Sequence, residues 1–156
     1  MIELELVGVR VELPHNQPIV LLKEQQGERY LPIWIGAVEA TAIAFALQGV
    51  EPPRPLTHDL MRDLLSGLHV AVDRIVVTEL RDGTFYAEIH LSSGEEPIVV
   101  SSRPSDAIAL AVRVRVPIFA DESVLTEAGI EIEDDEQDEV EQFKEFLDSV
   151  TPEDFK

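Results

Sequence analysis

A chain of 156 residues with 45% hydrophobic content can bury one sizeable core and is short for two. It contains no cysteine, which excludes disulfides, thiolate metal sites and cysteine nucleophiles. Its 31 acidic against 12 basic residues give a formal net charge of −19. That balance argues against tight nonspecific duplex binding, because phosphate recognition draws on clustered Lys and Arg.

Half of the charge excess sits at one end. Residues 131–156 hold 12 acids and 2 bases, while residues 1–130 hold 19 acids and 10 bases. The N-terminal Met1-Ile2-Glu3-Leu4-Glu5 is acidic where a signal peptide would be basic and then apolar. No run approaches the roughly 18 apolar residues of a membrane span. The expectation is a cytoplasmic protein that does not enter a membrane.

Ile2 to Leu13 alternates apolar Leu4, Leu6, Val9, Val11 and Leu13 with charged residues, the period of a half-buried strand. Pro14 to Pro18 predicts a turn, Ile19 to Lys23 a second strand, Gln25 to Glu28 another turn, and Arg29 to Ile35 a third strand. From Gly36 the spacing of Ala40, Ile43, Ala44 and Leu47 predicts a helix of small residues lying close to a sheet, ended by Gly49. Glu51-Pro52-Pro53-Arg54-Pro55 cannot continue it, since proline lacks the amide hydrogen. Thr57 then predicts the N-cap of a second helix, with His58 and Asp59 in its first turn, Leu60, Leu64 and Leu65 on one face, and Gly67 at its end.

The second half repeats the order. Val70 to Leu80 and Thr84 to Leu91 read as strands around the Asp82-Gly83 hairpin signal. Ile98 to Ser101 follows as a third strand, and Pro104 opens a helix to Val114. At an offset of 65 the chain overlays itself without a gap: Pro32-Ile33 on Pro97-Ile98, Ala42-Ile43-Ala44 on Ala107-Ile108-Ala109, and Pro52 on Pro117. This reads as an internal duplication. The expected fold class is α+β, one domain from two repeated β-β-β-α units with pseudo-twofold symmetry, over residues 1–129.

Val116 to Ala120 predicts a short strand and Ser123 to Gly129 one or two helical turns. Residues 130–156 read as an acidic linker, Ile130 to Asp138, and an amphipathic C-terminal helix carrying Val140, Phe143, Phe146, Leu147 and Val150.

Several polar residues are candidates for chemistry. His58 and Asp59 are adjacent, so on a helix their side chains diverge by about 100° and a third group is needed to make a dyad. Asp59 answers to the helix dipole and His58 to an ordinary place near the cap; the functional alternative makes His58 a general base or acid oriented by a distant carboxylate. Arg103-Pro104-Ser105-Asp106 reads as a helix start, with Arg103 paired to Asp106 and Asp106 reaching back to free amides. The same arginine beside a helix N-terminus suits phosphate, and Asp106 suits a divalent metal. The repeat places Glu39 near the matching helix start as a second carboxylate. Arg54, stiffened by prolines, is a phosphate ligand or a surface ion pair. Trp34 reads as core or oligomer interface. His15, His69 and His90 lack ligand spacing, and no phosphate-binding glycine loop or hydrolase elbow occurs.

The segments LPIWIGAVEATAIAFALQGVEPPRPLTHDL, DGTFYAEI and RPSDAIALAVR, in that order, resemble the signature segments of the bifunctional nuclease domain family over about Met1 to Gly129. The resemblance implies a small α+β domain that self-associates, with nuclease activity on both DNA and RNA. Carried over residue by residue, the family's polar positions are Glu39, Arg54, His58, Asp59, Arg103, Ser105 and Asp106. This chain has Ser101 where the family pattern carries an aspartate, which removes one carboxylate available to a metal. The acidic extension resembles that of actinobacterial members.

Two functions follow. In the first, a phosphodiester hydrolase holds phosphate with Arg54, Arg103 and Ser105, uses His58 as acid or base with Glu39 nearby, and binds Mg2+ or Mn2+ at Asp59 and Asp106. Its nucleic acid substrate is held weakly, and a homo-oligomer, a dimer favoured, is expected. In the second, the domain is a non-catalytic oligomeric scaffold or regulator whose acidic tail recruits a basic protein. What separates them is whether these polar groups converge.

Overall fold

The computed structural model describes residues 1–12 and 17–131, and they form four helices and an eight-stranded sheet, an α+β architecture. The strands are β1 (Ile2–Glu12), β2 (Gln17–Glu24), β3 (Arg29–Trp34), β4 (Ala71–Arg81), β5 (Thr84–Ser93), β6 (Glu96–Ser102), β7 (Ile118–Ala120) and β8 (Ile130–Glu131). The helices are α1 (Ala37–Leu47), α2 (Thr57–Gly67), α3 (Pro104–Val114) and α4 (Glu122–Ala128). The turn expected at residues 14–16 and the amphipathic segment after Glu131 lie outside the described residues.

The sheet order is β6-β5-β4-β7-β1-β2-β3-β8. Each half thus contributes a three-stranded antiparallel meander, and the three residues of β7 join them, parallel to β4 and antiparallel to β1. The β4–β5 hairpin turns through Asp82 and Gly83, both at positive φ (53° and 77°), as the two-residue hairpin requires.

Alternation decides what is buried. Leu4, Val9, Val20, Leu22, Leu31 and Ile33 from one half, and Ile75, Val77, Ala87, Ile89 and Leu91 from the other, pack under α1 and α3 in one core. Both helices present small residues to it, Ala40, Ala42 and Ala44 on α1 and Ala107, Ala109 and Ala111 on α3, and they pack against one another. Small side chains permit that close approach, so the N-terminal ends of α1 and α3 meet.

Five local expectations are corrected. The second strand starts at Gln17, with Pro18 opposite Val11, so the turn does not run to Pro18. Ile130–Glu131 pairs with β3 instead of starting the linker. Thr57 is the first helical residue of α2; the N-cap position belongs to Leu56, whose amide is satisfied from ahead by the Asp59 carboxylate at 3.0 Å. Helix α2 also turns its leucines the other way. Met61 and Leu65 face the core beside buried His58 and Asp59, whereas Leu60 and Leu64 are 50% and 56% exposed. Trp34, at the end of β3, is half exposed and is not core.

Candidate active site

The first turns of three helices come together. Glu39 lies in the first turn of α1, His58 is the second residue of α2, Arg103 is the N-cap of α3 and Asp106 lies in its first turn. They form one hydrogen-bonded chain. His58 Nε2 lies 2.8 Å from Asp106 Oδ1, Arg103 Nε donates to Asp106 Oδ2 at 2.8 Å, and an Arg103 terminal nitrogen donates to Glu39 Oε1 at 2.8 Å. The expected Arg103–Asp106 pair is present, but Asp106 does not cap α3: its two oxygens are taken by Arg103 and His58, and no side chain caps that helix.

The electrostatics follow from these partners. Burial pushes the Asp106 carboxyl up, but the hydrogen bonds and charges of Arg103 and His58 outweigh it and hold the group below the ordinary aspartate value. His58 is 4% exposed, so its imidazole is fixed by packing as well as by Asp106. With Nε2 engaged, the neutral tautomer that donates to Asp106 leaves its lone pair on Nδ1. Arg103 is different, with a side chain 66% exposed. It uses two of the five guanidinium N–H groups in this chain, so three remain for solvent or an anion.

Asp59 goes elsewhere. Its Oδ1 accepts from Arg113 Nε at 2.8 Å, and Arg113 also donates to the carbonyls of Ala109 and Ala42. Burial again pushes the carboxyl up, and the Arg113 hydrogen bond, the Leu56 amide and nearby guanidinium charge bring it below the ordinary value. This buried pair ties α2 to α3 and to α1. Sequence reasoning missed Arg113; its signal was a lone charge ending the apolar run AIALAV, seven residues after Asp106 and therefore on the same helical face. Arg54 is exposed in the proline-rich turn and makes no ion pair among the described residues, and Ser105 is buried at the start of α3.

The donor set does not fit a divalent metal. Asp59 and Asp106 each have both oxygens engaged, and among the described residues no group of three His, Asp or Glu side chains gathers to hold an ion. A groove of about 760 Å³ runs between α1 and α2 and reaches His58; its walls include Val38, Phe45, Leu56 and Leu60. No helix among the described residues is long and apolar enough to cross a membrane.

Residues 20–133 match the model of the bifunctional nuclease domain. An uncharacterized protein of Mycobacterium tuberculosis is 53% identical over 163 residues, covering 99% of this chain and 98% of that protein. Bifunctional nuclease 2 of Arabidopsis thaliana is 31% identical over 78% of this chain and 37% of its own length, and bifunctional nuclease 1 of Oryza sativa subsp. indica is 28% identical over 81% and 39%. The chain therefore spans less than two-fifths of the plant proteins and nearly all of the mycobacterial one. With a family match that takes in α1, α2 and α3 together, this chain belongs to the bifunctional nuclease domain family.

Proposed function

We propose that the protein hydrolyses phosphodiester bonds in DNA and RNA, and that the site is the chain of side chains His58–Asp106–Arg103–Glu39. The observation that carries this reading is the meeting of an imidazole, its carboxylate partner and a partly free guanidinium at three helix N-termini. Three positive dipole ends and Arg103 suit a phosphate there, within an otherwise acidic molecule. Arg103 binds the phosphate through its remaining donors. His58 removes a proton from water at Nδ1, and Asp106 holds the tautomer and stabilises the imidazolium that forms. Glu39 positions Arg103. Arg54 and Ser105 extend the phosphate contacts in this reading, and Asp59 positions α2.

The names of the plant relatives support the same chemistry. The two β-β-β-α halves are read as a duplicated unit with pseudo-twofold symmetry, in which Glu39 falls on Pro104 and Asp106 on Thr41, so the two carboxylates sit near matching helix starts without being equivalent positions.

A second reading, an oligomeric scaffold, rests on β6. This edge strand pairs only with β5 among the described residues and exposes Ile98, Val99 and Val100. Such an edge favours pairing with a second copy.

The test is cleavage of labelled single-stranded RNA and DNA by purified protein with Mg2+, Mn2+ or EDTA, beside His58→Ala and Asp106→Asn variants of confirmed fold. Cleavage by the parent protein that is lost in both variants supports the hydrolase. Cleavage equal in all three proteins means a contaminating nuclease, and no cleavage leaves the scaffold.

A further inference from the structure

A second cavity, of about 530 Å³, lies beside the first turn of α2. His58 lines the groove described above, whereas Asp59, about 100° further round the helix, lines this one. Its basic content is out of proportion to the molecule. Residues 1–130 hold 10 bases against 19 acids, yet three of those bases, Arg62 of α2 with Arg113 and Arg115 at the end of α3, line this one cavity.

Their hydrogen bonds leave donors over. Arg113, its side chain 5% exposed, gives three of its five N–H groups to Asp59, Ala109 and Ala42, so two remain. Arg62 donates to its neighbour Asp63, and the exposed Arg115 side chain has no partner among the described residues. Acceptors are fewer. Asp59 has both oxygens engaged, by Arg113 and by the Leu56 amide, which leaves Glu51 as the lining carboxylate without a partner among the described residues. Arg115 is also held in an unusual conformation. As the C-cap of α3 it stands at φ 60° and ψ 52°, the left-handed region where glycine is the ordinary residue. The backbone loses free energy by that choice, and the cavity gains a guanidinium.

We infer that this cavity is a second phosphate-binding site. Planar guanidinium forks match the oxygens of a phosphate, and here three of them surround one space. The source of that phosphate rests on the hydrolase reading: it belongs to the same nucleic acid strand whose scissile phosphate lies at Arg103. Arg113 follows Arg103 by ten residues along α3, about 15 Å at the rise of an α-helix. At about 3.4 Å per nucleotide that is about four nucleotides. Pro55 lines both the His58 groove and this cavity, so the two adjoin. A strand gripped at Arg103 reaches the second site only if it is several nucleotides long.

The test reads binding, so it does not depend on cleavage. Affinity for a labelled 12-nucleotide single strand is measured by fluorescence anisotropy at low salt with EDTA, the probe being shown intact on a gel. Arg115→Gly removes the guanidinium and installs the residue that the left-handed position favours, so it should weaken binding about tenfold while melting at or above the parent temperature. Glu51→Gln removes the competing carboxylate and should tighten binding. Inorganic phosphate separates the two sources of the ligand. If the 12-mer binds all three proteins equally, but inorganic phosphate raises the melting temperature of the parent and not of Arg115→Gly, the site is a phosphate site that serves a free ligand. Equal affinities with no phosphate-dependent shift overturn the proposal. Weakened binding by Arg115→Gly in a protein that cleaves nothing upholds the second site and overturns only the hydrolase.

Discussion

Arg113 on α3 donates to Asp59 on α2 at 2.8 Å, and both side chains are almost removed from solvent, so the pair is a buried strut between helices that carry the candidate site. Taking away one partner strands the other's charge in the interior. Arg113→Met is expected to destabilise the protein by about 3–5 kcal/mol, read by urea unfolding. Asp59→Leu added to it recovers part of that loss, because the lone carboxylate goes with it.

The depressed carboxyls set the acid behaviour. Asp59, Asp106 and Glu24 all titrate below their ordinary values in the folded protein; Glu24 is held down first by its hydrogen bonds from Arg29. A group with a lower pKa in the folded state binds fewer protons there than when unfolded. Its contribution is present above the unfolded value, near pH 4, and is lost as pH falls through the folded one. Unfolding free energy measured in urea from pH 5 downward should therefore decline below about pH 4. In Asp59→Asn the decline is shallower, from a lower starting stability.

Under the hydrolase reading, the two ends of the side-chain network have separable effects. His58→Ala lowers kcat by about 10²–10⁴, the usual contribution of a positioned acid or base. Arg103→Ala raises KM about tenfold, since it removes roughly one charge-assisted hydrogen bond to phosphate. Steady-state cleavage of a short labelled oligonucleotide checks both, and a reversal of the two effects would reassign the residues.

Edge strand β6 offers a stability-neutral probe of self-association. Val99→Lys places a charge on an exposed edge and should change stability by no more than about 0.5 kcal/mol. If β6 pairs between copies, sedimentation velocity of the variant shifts toward monomer; an unchanged profile places any self-association elsewhere.

Much of this architecture was legible in the residues. Alternation marked the strands, Asp82-Gly83 marked the hairpin, and Pro104 marked the start of α3, because each of these signals is local. The site was legible in composition but not in connection. His58 visibly needed a third group, yet nothing within α2 says that Asp106, 48 positions later, supplies it. Asp59 misled for the same reason: its place in a first helical turn explains its bond to the Leu56 amide, but its partner Arg113 is 54 positions away. The face of α2 was misjudged because leucine normally points inward, and here His58, Asp59 and Arg113 occupy that side.

Strand β7 has a consequence for how the chain is made. Ile2 pairs with Ala120 and Leu4 with Ile118, while Ile75 and Val77 pair with Ile118 and Ala120 on the other side. A nascent chain emerging from the ribosome can close each meander as it appears, but the two remain separate sheets with open inner edges until residue 120 is synthesised. Leu4, already beside Glu24 of β2, waits for almost the whole domain to follow before it gains Ile118 as its second neighbour. Joining the halves is thus the long-range, late event of folding, and the interval before it is when this protein is most open to wrong pairing and to chaperones.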